Sequence, residues 1–311
     1  MSTVQPKTRR RFPRITSAAF EHPADRAALE AVKKIPVLDK VFRKLLELGF
    51  ERIMRIQLLG RCVHVTPKQC PKIYKLFKEA ADILDMHEPD LFLMNNPQPN
   101  AFTFGVERPF IVVHSGLVDL MDEDELLAVL GHELGHIKAG HSLYKTIAYF
   151  LAQIAARVLG GQIYTMALSV ALYEWSRKSE LTADRAELLV CQDVGVSMRV
   201  HMKLAAGTTT VYDQMCEHEF LKQADMYEEL DHSTLNKVYK LLNELWLTHP
   251  LPVFRSKETM AFSKSKQYQE ILAGRYPTEE VAPTLRTCPH CQAKISPSFF
   301  FCPDCGKNAR V

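Results

Sequence analysis

The chain has no apolar run long enough to cross a membrane comfortably. Its most apolar stretch, residues 146–173, is interrupted by Arg157, and the longest charge-free piece, Val158 to Tyr173, has 16 residues. A spanning helix needs about 20. That stretch is therefore expected to pack as two helices or one bent helix inside a soluble protein. The first 40 residues hold no continuous apolar core, so no secretory signal is expected. The expected setting is cytoplasmic, with membrane association as the less favoured alternative. An excess of charge of one sign is also missing. Set against 39 basic side chains are 36 acidic ones, a net charge of +3, which gives no reason to expect a nucleic-acid partner. Arg9, Arg10, Arg11 and Arg14 read as part of a solvated, flexible basic arm over residues 1–16.

Cysteine is sparse until the end of the chain. Cys62, Cys70, Cys191 and Cys216 are scattered through apolar or helical contexts and read as reduced core thiols. The other four come in two knuckles, Cys288-Pro289-His290-Cys291 and Cys302-Pro303-Asp304-Cys305. Such pairs of pairs place four thiolates around one ion, the pattern of a structural zinc ribbon, here over residues 288–306. A rubredoxin-like iron site is the minority reading. Disulfides are disfavoured without a secretory signal.

With 311 residues, 47% of them hydrophobic, the chain can bury a large core, and one large domain with a small module is expected. The periodicity predicts helices within 24–48, 71–84 and 235–247, and strands at 61–65 and 91–94. A hairpin is expected from Ala101–Phe104 and Phe110–His114. Residues 263–287 are polar, carry Pro277 and Pro283, and read as a linker to the ribbon.

The chemistry is concentrated in His132-Glu133-Leu134-Gly135-His136. Four residues make just over one helical turn, so the two imidazoles leave one face together and can share a tetrahedral Zn²⁺. Glu133 stands where a carboxylate can take a proton from water on that ion. A helix is expected to start at Asp122, because Glu125 three residues on completes a capping box. Leu127, Leu130, Leu134 and Ile137 form an apolar stripe that leaves both histidines on the other side. His141 falls about half a turn from His132 and reads as a helix-end or structural residue, not a ligand. Downstream, Glu180 and Asp184 stand i, i+4 on a second helix. They are either a zinc ligand and the hydrogen-bond acceptor of a ligand histidine, or an ordinary solvated acidic face.

These residues, with Ser176-Arg177 ahead of Glu180, Ala183-Asp184, and Asn100-Ala101-Phe102 ahead of Ile111-Val112-Val113, resemble the HtpX-like and CAAX-prenyl-endopeptidase family of gluzincin metallopeptidases. The resemblance covers about residues 15–262. It implies Glu180 as third zinc ligand, Asp184 behind a ligand histidine, and a polypeptide substrate cut by zinc-activated water with Glu133 as general base. It also implies an edge strand at Asn100, Ala101 and Phe102 that pairs with substrate backbone. Thr248-His249-Pro250 and Arg255 match the family too, placing His249 and Arg255 at the cleft as candidate catalytic donors to the oxyanion. HtpX itself carries membrane spans ahead of its zinc motif, which this chain lacks.

The expected fold is α+β and mostly helical: a zincin-like catalytic domain over 17–262, with a small sheet beside the HExxH helix, and a four-cysteine ribbon. The expected metals are one catalytic zinc on His132, His136 and Glu180 and one structural zinc on Cys288, Cys291, Cys302 and Cys305. The expected function is a zinc metalloendopeptidase, with a role in protein quality control. The alternative is a latent or non-catalytic adaptor that recruits partners through the ribbon.

Overall fold

The computed structural model describes residues 8–35, 49–105, 107–155, 162–230, 251–279 and 286–295, together with 233, 236, 239, 240, 249, 302–305 and 307. The expected helix over 235–247 and the second half of the one over 24–48 lie outside the described residues. Most of the rest is helical, around one small sheet.

The helices are α1 (Pro23–Lys33), α2 (Phe50–Arg61), α3 (Pro71–Ile83), α4 (Ser115–Leu120), α5 (Glu123–Lys138), α6 (His141–Ala155), α7 (Gln162–Cys191), α8 (Val194–Ala206), α9 (Glu217–Glu229), α10 (Pro252–Ser263) and α11 (Lys266–Leu272). The strands are β1 (Val63–His64), β2 (Asp90–Met94), β3 (Ala101–Phe104) and β4 (Phe110–His114), with β5 (Arg286–Thr287) and β6 (Lys294–Ile295) beside the C-terminal cysteines. The main sheet runs β1-β2-β4-β3. β2 and β4 are parallel, while β1 and β3 lie antiparallel at the two edges. The expected hairpin is β3–β4, with Ala101 opposite Val113.

α5 is the axis of the molecule. Asp122 Oδ1 accepts from the Glu125 amide and Glu125 Oε2 accepts from the Asp122 amide, both at 2.9 Å, closing the capping box. Every residue from Glu125 to His136 is buried, so the helix is enclosed on all sides and not only along its leucine stripe. Its closest neighbour is α7, and glycine makes the approach: a Cβ on Gly135 would lie 2.5 Å from Ala186 Cβ, and one on Gly131 2.6 Å from Val190 Cβ. That contact carries Glu180 and Asp184 up to the histidines. The stretch after α5 is two helices, α6 and α7, and no helix among the described residues is long and apolar enough to cross a membrane.

Two boundary expectations are corrected. Residues 8–16 are not a loose arm. Phe12 and Ile15 are fully buried, and the Phe12 amide donates to Ile83 O at 2.9 Å. Arg9 pairs with Glu79 at 2.8 Å and with Asp124. The four arginines flank only two apolar side chains, Phe12 and Ile15, and both are buried. Residues 263–279 are not linker either. α11 buries Tyr268 and Ile271, and the Glu279 amide donates to Arg14 O at 2.8 Å, closing the chain against its own beginning. Among the scattered cysteines Cys191 is buried, whereas Cys216 is exposed at the start of α9 and is no core thiol.

Candidate metal centre and active site

Backbone periodicity brings the ligand atoms together. His132 and His136 leave α5 one turn apart, and their Nε2 atoms stand 3.1 Å from each other. Glu180 arrives from α7, with Oε2 3.3 Å from His132 Nε2 and Oε1 3.2 Å from His136 Nε2. A tetrahedral Zn²⁺ with ligands at 2.0–2.1 Å has edges of roughly 3.4 Å, so three buried donors already stand near the required spacing. A cation is drawn to the same atoms: Lys145 Nζ lies 2.7 Å from Glu180 Oε1 and 2.9 Å from His136 Nε2. The donor set fits zinc. His249 completes a group of four whose ligand atoms all lie within 4.8 Å of one another.

Each histidine is held from behind. His132 Nδ1 is 3.0 Å from Asp184 Oδ1. Asp184 accepts from Arg255 Nε at 2.8 Å and from Nη2 on its other oxygen. Burial alone would raise the Asp184 carboxyl, but the Arg255 guanidinium and hydrogen bonds from His132 and His201 hold it well below the usual range. Burial likewise opposes charge on Glu180, yet His249, Lys145 and His136 pull it well below the usual range. Burial works against a charged His132, but its bonds to Asp184 and Glu180 win and raise it to about 9. His136 is pushed well below its ordinary value by burial and by the Lys145 ammonium.

Glu133 points into the cleft beside these atoms. Thr103 Oγ1 donates to Glu133 Oε2 at 2.7 Å, fixing the carboxylate from β3. His249 Nε2 lies 2.7 Å from Ala101 O and 3.7 Å from Glu133 Oε1, and its Nδ1 lies 2.6 Å from Glu180 Oε2. The cleft, of about 360 Å³, is lined by Asn100, Ala101, His132, Glu133, His249 and Arg255, with an apolar wall from Val129, Val200 and Leu204.

Two expected residues, Phe102 and Arg255, take different places, while His141 is structural and not a ligand, as expected. Phe102 faces the opposite side of the sheet, where it packs among Leu58, Phe92, Phe110 and Val112; strand alternation sends it away from Ala101 and Thr103. Arg255 borders the cleft but is nearly fully buried and forked onto Asp184, which in turn meets His132 Nδ1. His141 stands behind His136 instead of among the converging atoms, Nδ1 to Nδ1 at 3.0 Å. The sequence reading missed Thr103, Lys145 and Asp25. Thr103 was legible in principle, since it is the buried polar residue two positions from Ala101 on the same strand face.

In the C-terminal module, Cys288, Cys291, Cys302 and Cys305 form a second group with all ligand atoms within 4.8 Å. Desolvation opposes ionisation of Cys288, but backbone amides of His290 and Cys291 bring its thiol down to about 6, while Cys291, against a backbone bond from Ala293, is pushed up to about 12 by burial and the other thiols. A thiol that ionises as readily as that of Cys288 suits a metal.

A buried HExxH helix joined by a carboxylate from a second helix defines the class: this is a metallopeptidase. Residues 67–261 match peptidase family M48, and the chain belongs to that family. It is 39% identical over 256 residues to the plastoglobule-localized metallopeptidase 48, chloroplastic, of Arabidopsis thaliana, covering 81% of this chain and 74% of that one. It is 32% identical over 102 residues to a protease HtpX homolog of Moorella thermoacetica, covering 34% of that protein. With the protease HtpX homolog 2 of Methanosarcina mazei it shares 30% over 102 residues, 35% of that protein. The match to these HtpX relatives thus spans about a third of their length. No solved structure matches the chain.

Proposed function

We propose that the protein is a zinc-dependent endopeptidase acting on extended polypeptides, with His132, His136 and Glu180 as the catalytic metal ligands. What supports this most is the convergence of those three buried side chains, two from one helix and one from another, at near-tetrahedral spacing. Bound there, Zn²⁺ would act as a Lewis acid toward the scissile carbonyl and lower the pKa of a water.

The chain's own residues do the rest. Glu133, oriented by Thr103, takes the proton of the attacking water and passes it to the departing amine. His249, which lines the cleft, donates to the developing oxyanion once its Nε2 leaves Ala101 O. Asp184 accepts from His132 Nδ1–H and so leaves Nε2 free as a ligand, and Arg255 holds Asp184 in place. β3 pairs with β4 on one side only. In such a ladder alternate residues turn their main-chain groups outward, so Ala101 and Thr103 face away from β4, and an extended substrate adds there as a strand by displacing His249 from Ala101 O. A cleft that reads backbone in this way suits unfolded chains, the substrates of quality control. The four cysteines hold a second, structural zinc. The packing described above supports a peptidase domain over residues 8–279, with the ribbon following it.

The test is hydrolysis of a quenched, unstructured protein by the wild type and by Glu133→Gln, each at matched zinc content. Cleavage by the wild type and a loss of 10²-fold or more in the variant, on the order expected of a general base, is the proposed outcome. Equal rates in the two proteins would refute the role of Glu133, and silence in both would favour the adaptor reading.

A further inference from the structure

Among the described residues, α2 is the outer layer over one face of the sheet. Its inner face, through Leu58 and Met54, covers Phe92, Phe110 and Val112, with Phe102 and Phe104 beside them. Its outer face is left apolar. Ile53 is 50%, Ile56 61% and Leu59 59% exposed, and Val63 just beyond the helix is 41% exposed. Single exposed apolar residues are ordinary, but several aligned on one helix face mark a contact surface.

Charge narrows what that surface meets. Around the helix, Leu59, Arg52, Ile56, Gly60, Ile53, Gln57, Phe50 and Arg61 follow one another across an arc of about 200°. The arc carries two arginines and no acidic residue. The helix's one acidic residue, Glu51, is turned inward, accepting from the amides of Glu107 at 3.1 Å and Arg108 at 2.7 Å. Arg55 is consumed by Asp90. At the N-terminal end of α2 the aromatic surface continues onto α6. Phe50 meets Phe150 at 5.6 Å, and Tyr149, 40% exposed, rests against Phe104 at 5.2 Å. Two copies meeting through this face would bring arginine against arginine. An interface with an apolar interior and an anionic rim satisfies both the isoleucines and the arginines.

We propose that the outer face of α2 docks the protein peripherally on an anionic lipid surface. Ile53, Ile56 and Leu59 enter the acyl boundary, and Arg52 and Arg61 reach the phosphates. The proposal stands apart from the peptidase reading and survives or fails without it.

The test is co-sedimentation of the full chain with phosphatidylcholine vesicles, with and without phosphatidylglycerol. The wild type binds the anionic vesicles, less tightly as salt is raised, and binds pure phosphatidylcholine weakly. Ile53→Glu with Ile56→Glu removes binding, and Arg52→Gln with Arg61→Gln weakens it by roughly 30-fold. Both variants keep the wild-type melting temperature and peptide hydrolysis in solution, because the changed side chains point outward. A wild type that ignores both kinds of vesicle overturns the proposal, as does undiminished binding by the double glutamate variant. Self-association that disappears in that variant, without vesicle binding, also overturns it and makes the face a contact between copies.

Discussion

His136 and His141 face each other Nδ1 to Nδ1 at 3.0 Å, and His141 Nε2 lies 2.9 Å from Asp25. Only one proton can sit between two ring nitrogens. If His136 offers Nε2 to a metal, its Nδ1 carries the proton and His141 Nδ1 accepts it. His141 Nε2 then carries its own proton at ion-pair distance, 2.9 Å, from the Asp25 carboxylate. Each histidine of the motif is thus backed by an acid, His132 directly by Asp184 and His136 through His141 by Asp25.

Asp25 should therefore be costly to lose. It is fully buried and also accepts from Trp175 Nε1 at 3.0 Å and Thr182 Oγ1 at 2.6 Å. Asp25→Ala is expected to destabilise the fold by about 3 kcal/mol or more, because it leaves those donors unpaired. His141→Phe, of similar shape, is expected to cost less stability but to weaken zinc binding by about 10-fold or more. Denaturant melts and competition with a zinc chelator check the pair. Unchanged zinc affinity in His141→Phe would remove the relay.

Zinc binding should depend on pH through His132. Its folded value near 9 lies above the ordinary 6.5, so in the metal-free protein a proton occupies a ligand. That protonated contact stabilises the apoprotein fully below about 6.5 and is lost as pH rises through 9. Metal must displace the proton, so apparent affinity should rise by about tenfold per pH unit up to that range. Titration with a zinc buffer across the window measures it, and a flat profile above pH 6.5 would contradict the assignment.

Thr103→Val keeps the volume of the side chain and deletes its bond to Glu133. The expected result is a drop in kcat of about tenfold, near the lower end of what a positioned hydrogen bond contributes, with zinc content unchanged. Steady-state kinetics at saturating substrate would show it, and an unaltered kcat would mean that Thr103 does not orient Glu133.

Gly135→Ala is normally a favourable change within a helix, by about 1 kcal/mol. Here the added methyl would meet Ala186 at 2.5 Å, and overpacking costs about 1–3 kcal/mol. The variant is expected to melt a few degrees lower and to bind zinc less tightly, since α7 carries Glu180. A variant that melts higher than the wild type would show that the two helices are free to part.

Much of the site was legible because it is local. The turn from His132 to His136, the Asp122–Glu125 cap and the i, i+4 pair of Glu180 and Asp184 all follow from helical spacing, and the hairpin follows from alternation. What escaped the sequence reading depends on tertiary contact. Nothing near Asp25 in the chain links it to His141, Lys145 is one lysine among many, and Arg255 shows its fork only once α10 meets α7. The packing of residues 8–16 and 263–279 was not legible for a related reason. Their few apolar residues are buried by pairing the two ends of the domain, which no local pattern reveals.

The most direct test of the account is X-ray absorption at the zinc edge on a Cys288→Ser, Cys291→Ser protein, which leaves only the first site able to bind tightly. The account predicts one zinc per chain with nitrogen and oxygen neighbours at about 2.0–2.1 Å and no sulfur, and loss of that zinc on Glu180→Ala. A zinc-free protein, or a spectrum unchanged by Glu180→Ala, would contradict it.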